Sequence, residues 1–221
     1  VQVFKQMSDV YADGERVYAQ AGALLSKTAA VACEASLTGM EFASGIPGTL
    51  GGALRMNAGA YGGEMKQIVE SAEVLTSEGE VLNLTNEELG MGYRTSVIAK
   101  NDYVALSAVL KLEKGDRQEI RAYMEDLKER RVTKQPLEFG SAGSTFKRPE
   151  GYFAGKLIQD SGMQGYRVGD AQVSEKHCGF VINRGNATAA EVMQLMKDVA
   201  DRVEEKFGVR LEPEVRRIGE F

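Results

Sequence analysis

The sequence predicts an α+β protein of two lobes. The first, residues 1–114, is strand-rich; the second, residues 115–221, packs helices on a small antiparallel or mixed sheet. Three observations predict it. Up to Leu112, short runs of alternating or β-branched residues are separated by turn signals. After Gly115, apolar residues recur at helical spacing with charge on the opposite face. Between Gly39 and Gly63, glycines crowd so densely that little regular structure is expected there.

Taken in order, Val1 to Val10 alternates loosely and ends at the hairpin dipeptide Asp13-Gly14, so Glu15–Gln20 reads as the returning strand. Leu24–Leu37, rich in alanine, predicts a helix closed at Gly39. Ile68–Thr76 and Glu80–Leu84 read as strands around Ser77-Glu78-Gly79, and Tyr103–Leu112 as another. Thr85-Asn86-Glu87-Glu88 has the form of a capping box, stopped by Gly90 and Gly92. Ile120, Tyr123, Met124 and Leu127 mark a helix that ends before Pro136, with Lys128-Glu129-Arg130-Arg131 on its solvated face. Phe153–Gln159 predicts a short helix closed by Gly162; Gln172–Ser174 and Gly179–Asn183 predict short strands. Thr188 with Glu191 opens a last helix, closed by Gly208, with Val192, Leu195, Met196, Val199 and Val203 on one face. The tail, Val209–Ile218, reads as a strand interrupted by Pro213.

Composition narrows the function classes. With 27 basic and 32 acidic side chains the net charge is −5, so no overall positive field draws nucleic acid or an anionic membrane. No apolar run is long enough for a transmembrane helix. Cys33 and Cys178 are two isolated cysteines and His177 is the sole histidine, which argues against a disulfide framework or a zinc site and fits a cytoplasmic protein; a monomer is expected. The methionines fall on apolar helix faces and read as core filler. Residue 1 is valine, so the chain is expected to be processed or truncated.

The glycine-rich stretch Ser44-Gly45-Ile46-Pro47-Gly48-Thr49-Leu50-Gly51-Gly52 matches neither a Walker loop nor G-x-G-x-x-G. Its backbone is suited to close approach by a ligand. A second small-residue stretch, Asn57-Ala58-Gly59-Ala60-Tyr61-Gly62-Gly63, extends the same wall, where Asn57 would offer donors and an acceptor.

These two segments closely resemble the UDP-N-acetylenolpyruvoylglucosamine reductase family. Three more agree in the family's order: Gly92-Tyr93-Arg94-Thr95-Ser96, Gly143-Ser144-Thr145-Phe146-Lys147 and Glu212-Pro213-Glu214-Val215-Arg216. The short spacing from Arg94 to Ser144 resembles the family's compact second type. The resemblance implies an FAD-dependent oxidoreductase of peptidoglycan precursor synthesis. NADPH reduces the flavin, and UDP-N-acetylglucosamine enolpyruvate then receives a hydride and a proton to give UDP-N-acetylmuramate. It implies catalytic roles for Arg94, Ser144 and Glu214. Gly45, Ile46, Pro47, Gly48, Thr49, Gly51, Gly52, Asn57, Ala58 and Gly59 would line the flavin, and Tyr93, Lys147, Arg148, Lys156 and His177 the substrate.

The chemistry suits these residue types. Arginine stays cationic and grips a carboxylate with two hydrogen bonds. Serine is a weak acid and needs neighbours such as Lys147 to donate a proton. Glu214 serves either as a protonated donor or as an anion that orients one. His177 has two readings, a substrate-facing group or a hydrogen-bonded histidine at a strand start. The substrate is expected in the cleft between lobes. The family has a preceding lobe with a Gly-x-Gly-Ser-Asn phosphate loop, and no Gly-Ser-Asn occurs here, so the resemblance covers an incomplete flavin-binding lobe and the substrate domain. The chain is then either part of a working reductase or a folded, inactive nucleotide-sugar-binding fragment. The joint presence of Arg94, Ser144 and Glu214 argues against a flavoprotein with another substrate.

Overall fold

In a computed structural model, which describes residues 6–219, the Asp13-Gly14 turn closes a hairpin of β1 (Val10–Asp13) and β2 (Arg16–Gln20). Gly14 stands at φ 59°, a conformation glycine adopts without a steric penalty. Of the strand expected over Val1–Val10, residues 1–5 lie outside the described residues; β1 itself begins at Val10.

The chain divides into two units, Val1–Arg130 and Arg131–Phe221. The first contains, in order, α1 (Leu25–Glu34), β3 (Leu37–Thr38), a 3-10 turn at Glu41–Ala43, α2 (Leu50–Met56), β4 (Gly59–Ala60), β5 (Gly63–Glu64) and a 3-10 turn at Met65–Gln67. There follow β6 (Val69–Leu75), β7 (Val81–Thr85), α3 (Val97–Lys100), β8 (Val104–Lys111), β9 (Glu113–Lys114) and α4 (Arg117–Lys134), the last of which runs on past Arg130 into the second unit. The main sheet is antiparallel in the order β1-β2-β8-β6-β7. Alternation works here as the sequence predicts. Val17, Ala19, Ala72, Val74, Ala108 and Leu110 are buried with Leu25, Ala29 and Ala32 of α1 and Leu50, Ala53 and Leu54 of α2.

The texture change near Gly115 marks the start of α4, whereas the units divide at Arg130/Arg131. The start of α4 belongs physically to the first unit. Arg117 and Arg121 both pair with Glu34 of α1, and the Arg117 carbonyl faces the Cys33 thiol at 3.8 Å.

Several expected elements change. Helix α1 stops at Glu34, not at Gly39. Ser36 takes the left-handed turn, at φ 57°, so that Leu37 and Thr38 can pair with β9. Residues 85–88 make the capping-box bonds, Thr85 N–H to Glu88 at 2.8 Å among them, without forming a helix, because Gly90 turns the chain at φ 51°. The glycine stretch does hold a helix. In α2, Gly51 lies so close to the first lobe's strands that a Cβ would stand 3.0 Å from the Ala21 Cβ.

The second unit contains β10 (Gly140–Ser144), α5 (Ala154–Asp160), β11 (Arg167–Val168), β12 (Ala171–Val173), β13 (Phe180–Asn183) and α6 (Ala189–Phe207). Its sheet is antiparallel, ordered β10-β13-β12-β11. Leu195, Met196, Val199 and Val203 of α6 and Leu157 and Ile158 of α5 fill the core with Ala171, Val173 and Val181. The Thr188–Glu191 box and the left-handed Gly208, φ 67°, bound α6 as its residues dictate. The tail is no strand. Among the described residues it makes one bridge, Phe146 to Pro213, flanked by the Lys147–Glu212 and Glu214–Thr145 backbone bonds.

Candidate active site

Each unit carries its own constellation. In the first, residues 44–51 are laced to residues 21–25 by the Leu25 N–H to the Gly48 carbonyl (3.1 Å), Leu50 N–H to Ala23 (2.9 Å) and Gly51 N–H to Ala21 (2.8 Å). Thr49 bridges Leu24, and its hydroxyl makes no capping bond to α2. Pro47, Gly48 and Gly52 are exposed, whereas Gly45, Ile46 and Thr49 are half-buried. Gly48 stands at φ 140° with no atom within 4 Å of where a Cβ would lie. Here the backbone face is open, and a ligand can approach it closely.

The rest of the wall behaves differently. A Cβ on Gly59 would lie 2.7 Å from the Gly63 carbonyl across β4–β5, and one on Gly63 would strike the Phe42 ring at 2.5 Å. Gly51, Gly59 and Gly63 are therefore small because protein packs on them. Ala58 is half-buried against the first core.

Asn57 corrects the expectation of a ligand-facing amide. It is 2% exposed and left-handed, at φ 43°, at the end of α2. Its Nδ2 donates to Glu64 (3.1 Å) and to the Gly92 carbonyl (3.2 Å), and its Oδ1 accepts from the Lys66 N–H (2.9 Å). An amide nitrogen has two hydrogens, so no side-chain N–H is left for a cofactor. Gly92 and Thr95 then close a tight turn by exchanging bonds of 3.0 and 3.2 Å. The turn presents an exposed Tyr93 and a half-buried Arg94 at φ 55°, with the guanidinium 5.4 Å from the Tyr93 ring.

In the second unit the bulge between Ser141 and Ser144, with Gly143 at φ 82°, re-aims the end of β10. Ser144 is exposed and pairs with Phe180. Thr145, buried, is the hub that sequence reasoning missed. Its N–H donates to Gly179 (2.8 Å), its Oγ1 accepts from Val181 (3.0 Å) and its carbonyl accepts from Glu214 (2.9 Å). Lys147 meets Glu212 twice, N–H to carbonyl at 2.9 Å and ammonium to carboxylate at 3.0 Å. The tail thus returns alongside residues 145–147, and Glu214 sits beside the segment that carries Ser144.

His177 Nδ1 accepts from the Gly179 N–H (3.0 Å), so the neutral ring carries its proton on Nε2. Its ring lies edge-on to Phe180 at 5.0 Å. Burial, with a lesser push from Lys134, lowers its pKa. This is the geometry of a hydrogen-bonded histidine at a strand start. Arg148 stacks over Phe153 at 4.0 Å and donates to the Tyr152 carbonyl, while Lys156 pairs with Asp160 at 2.5 Å. Among the described residues no group of side chains could hold a metal ion, and no helix is long and apolar enough to cross a membrane.

Residues 1–85 match the model of an FAD binding domain, and residues 135–218 match the C-terminal domain of UDP-N-acetylenolpyruvoylglucosamine reductase. The reductase of Alkaliphilus oremlandii is 60% identical over 220 residues, which cover 100% of this chain and 72% of that protein. The chain belongs to the UDP-N-acetylenolpyruvoylglucosamine reductase family. The reductase of Agathobacter rectalis is 60% identical over 93% of this chain and 65% of its own length. The solved reductase of Thermus caldophilus superposes with a TM-score of 0.78 at 37% identity, covering 90% of this chain and 71% of that one. The chain therefore spans about two-thirds to seven-tenths of these reductases. Membership makes FAD the cofactor of the family fold, and the open backbone at Pro47–Thr49 fits close approach by such a group.

Proposed function

We propose that the chain works as part of an FAD-containing, NADPH-dependent reductase that converts UDP-N-acetylglucosamine enolpyruvate to UDP-N-acetylmuramate. The observation that carries the reading is the Glu214–Thr145 bond, which sets the tail's glutamate against the strand that ends in Ser144. We assign the flavin contacts to the first unit, through Gly45–Thr49 and Gly52, and the uridine diphosphate contacts to the second.

When bound, FAD supplies the hydride, which it draws from NADPH. Arg94 binds the substrate carboxylate and stabilises the charge that builds there as the double bond is reduced. Tyr93, whose ring centroid lies 5.4 Å from the Arg94 guanidinium, lines the substrate beside it. Ser144 gives its hydroxyl proton to the carbon next to the one that takes the hydride. Lys147 and Glu214 set the electrostatics of that proton. Arg148 and Lys156 serve the diphosphate. The exposed Lys156–Asp160 pair is worth at most about 1 kcal/mol, so exchange for a phosphate oxygen costs little. Two buried free thiols fit a reducing, cytoplasmic setting.

The protein that carries this chain at the full length of its relatives is expected to purify yellow and to oxidise NADPH when given the enolpyruvyl substrate. A colourless preparation that FAD cannot reconstitute overturns the reading. Titration of the 221-residue chain with FAD separates it from the alternative of an inactive nucleotide-sugar-binding fragment, which binds the uridine nucleotide but not the flavin.

A further inference from the structure

We infer that Asn57 is a positioning residue for Arg94, acting through the Gly92 carbonyl. The inference rests on the assignment of Arg94 to the substrate carboxylate.

The amide orientation is not arbitrary. The Lys66 N–H must face an oxygen, and Glu64 and Gly92 are both acceptors that must face the NH2 group. The Gly92 carbonyl is itself doubly used, accepting from Asn57 Nδ2 and from the Thr95 N–H, each at 3.2 Å. That carbonyl is the root of the turn that carries Arg94. The far end of the turn is also tied to α2. The buried Ser96 hydroxyl donates to the Arg55 carbonyl (2.9 Å), and Arg55 Nη1 donates to the Ile98 carbonyl (3.1 Å).

The last turn of α2 thus grips both ends of residues 92–98. Arg94 needs that grip. A non-glycine residue at φ 55° persists only where its surroundings over-determine it. Asn57 supplies a side-chain donor to the near end and pays for it with its own left-handed backbone, which asparagine tolerates. Its remaining bonds, to Glu64 and Lys66, fix the amide plane so that the second hydrogen points at Gly92.

The test uses the flavin-loaded protein and follows the two half-reactions separately. Asn57→Asp keeps the shape, the left-handed backbone and the acceptor for Lys66, but replaces both donors with a carboxylate facing Glu64 and Gly92. Enolpyruvyl reduction is expected to slow on the order of 10²-fold, the cost of a misplacement of about 1 Å. Flavin content and reduction by NADPH should hold. Asn57→Asp with Glu64→Gln gives residue 57 a donor partner again, so the melting temperature is expected to recover while the substrate step stays slow. Recovery of the rate together with the melting temperature overturns the positioning role, as does a full rate in Asn57→Asp or a loss of flavin at unchanged stability. Arg94→Lys, run alongside, separates the two claims. An undiminished rate there overturns the assignment of Arg94 itself and this inference with it, whereas a slow Arg94→Lys beside a fast Asn57→Asp overturns the positioning role alone.

Discussion

The Glu214 N–H donates to the Thr145 carbonyl at 2.9 Å, across a two-segment pairing that also joins the Lys147 N–H to the Glu212 carbonyl. These residues lie far apart in the chain, yet this short pairing carries the tail back to the segment that begins at Ser144. Phe146 and Pro213 face each other between these two bonds without exchanging one, so the proline's missing N–H leaves the pairing intact.

Ser144→Ala is expected to cut enolpyruvyl reduction by about 10²–10⁴-fold, the usual size of a general-acid contribution. Flavin reduction by NADPH, followed by stopped-flow bleaching, should be unchanged. Equal losses in both half-reactions contradict the proton-donor role.

Thr145→Val should destabilise the protein. The variant keeps the shape but leaves the Val181 N–H, which now donates to Oγ1 at 3.0 Å, without a partner in the core. The cost of such an orphan is about 1–3 kcal/mol. Thr145→Ser keeps the oxygen and should lose much less. Urea midpoints of the two variants give the comparison.

Two glycines of the same stretch should part company. Gly63→Ala drives a methyl into the Phe42 ring and is expected to cost roughly 1–3 kcal/mol. Gly52→Ala, exposed on α2 with nothing closer than 3.9 Å to the new methyl, should gain about 0.5–1 kcal/mol in flavin-free protein. If this face of α2 meets the flavin, the same variant binds FAD more weakly. Melting curves with and without FAD read both effects.

His177 makes stability depend on pH. Its folded pKa is lowered below the ordinary 6.5, chiefly by burial, so the native state binds the proton less readily than the unfolded chain. The stabilisation is therefore fully present above about pH 6.5 and is lost as pH falls through the lower folded value. Denaturation midpoints between pH 5 and 8 should decline on the acid side, and His177→Gln should flatten that part of the curve.

Much of this protein was legible in the chain. The turn Ser77-Glu78-Gly79 placed β6 and β7, and rough alternation placed β8, each to within a residue, because turn chemistry and the two-residue repeat are local. Capping residues placed both ends of α6, since cap chemistry is local. The motifs around Arg94, Ser144 and Glu214 were likewise visible, and with them the family. What the sequence could not decide is which small or polar residues serve the protein itself. Gly51, Gly59 and Gly63 read as a ligand wall until Ala21, the Gly63 carbonyl and Phe42 are seen packed against them. Asn57 reads as a cofactor ligand until its two hydrogens are found on Glu64 and Gly92. Thr145 lay within a family segment but drew no role of its own, being one threonine beside a notable serine. The physical reason is common to all three cases. A hydrogen bond or a van der Waals clash depends on which distant segment arrives, and only the folded chain brings that segment within 3 Å.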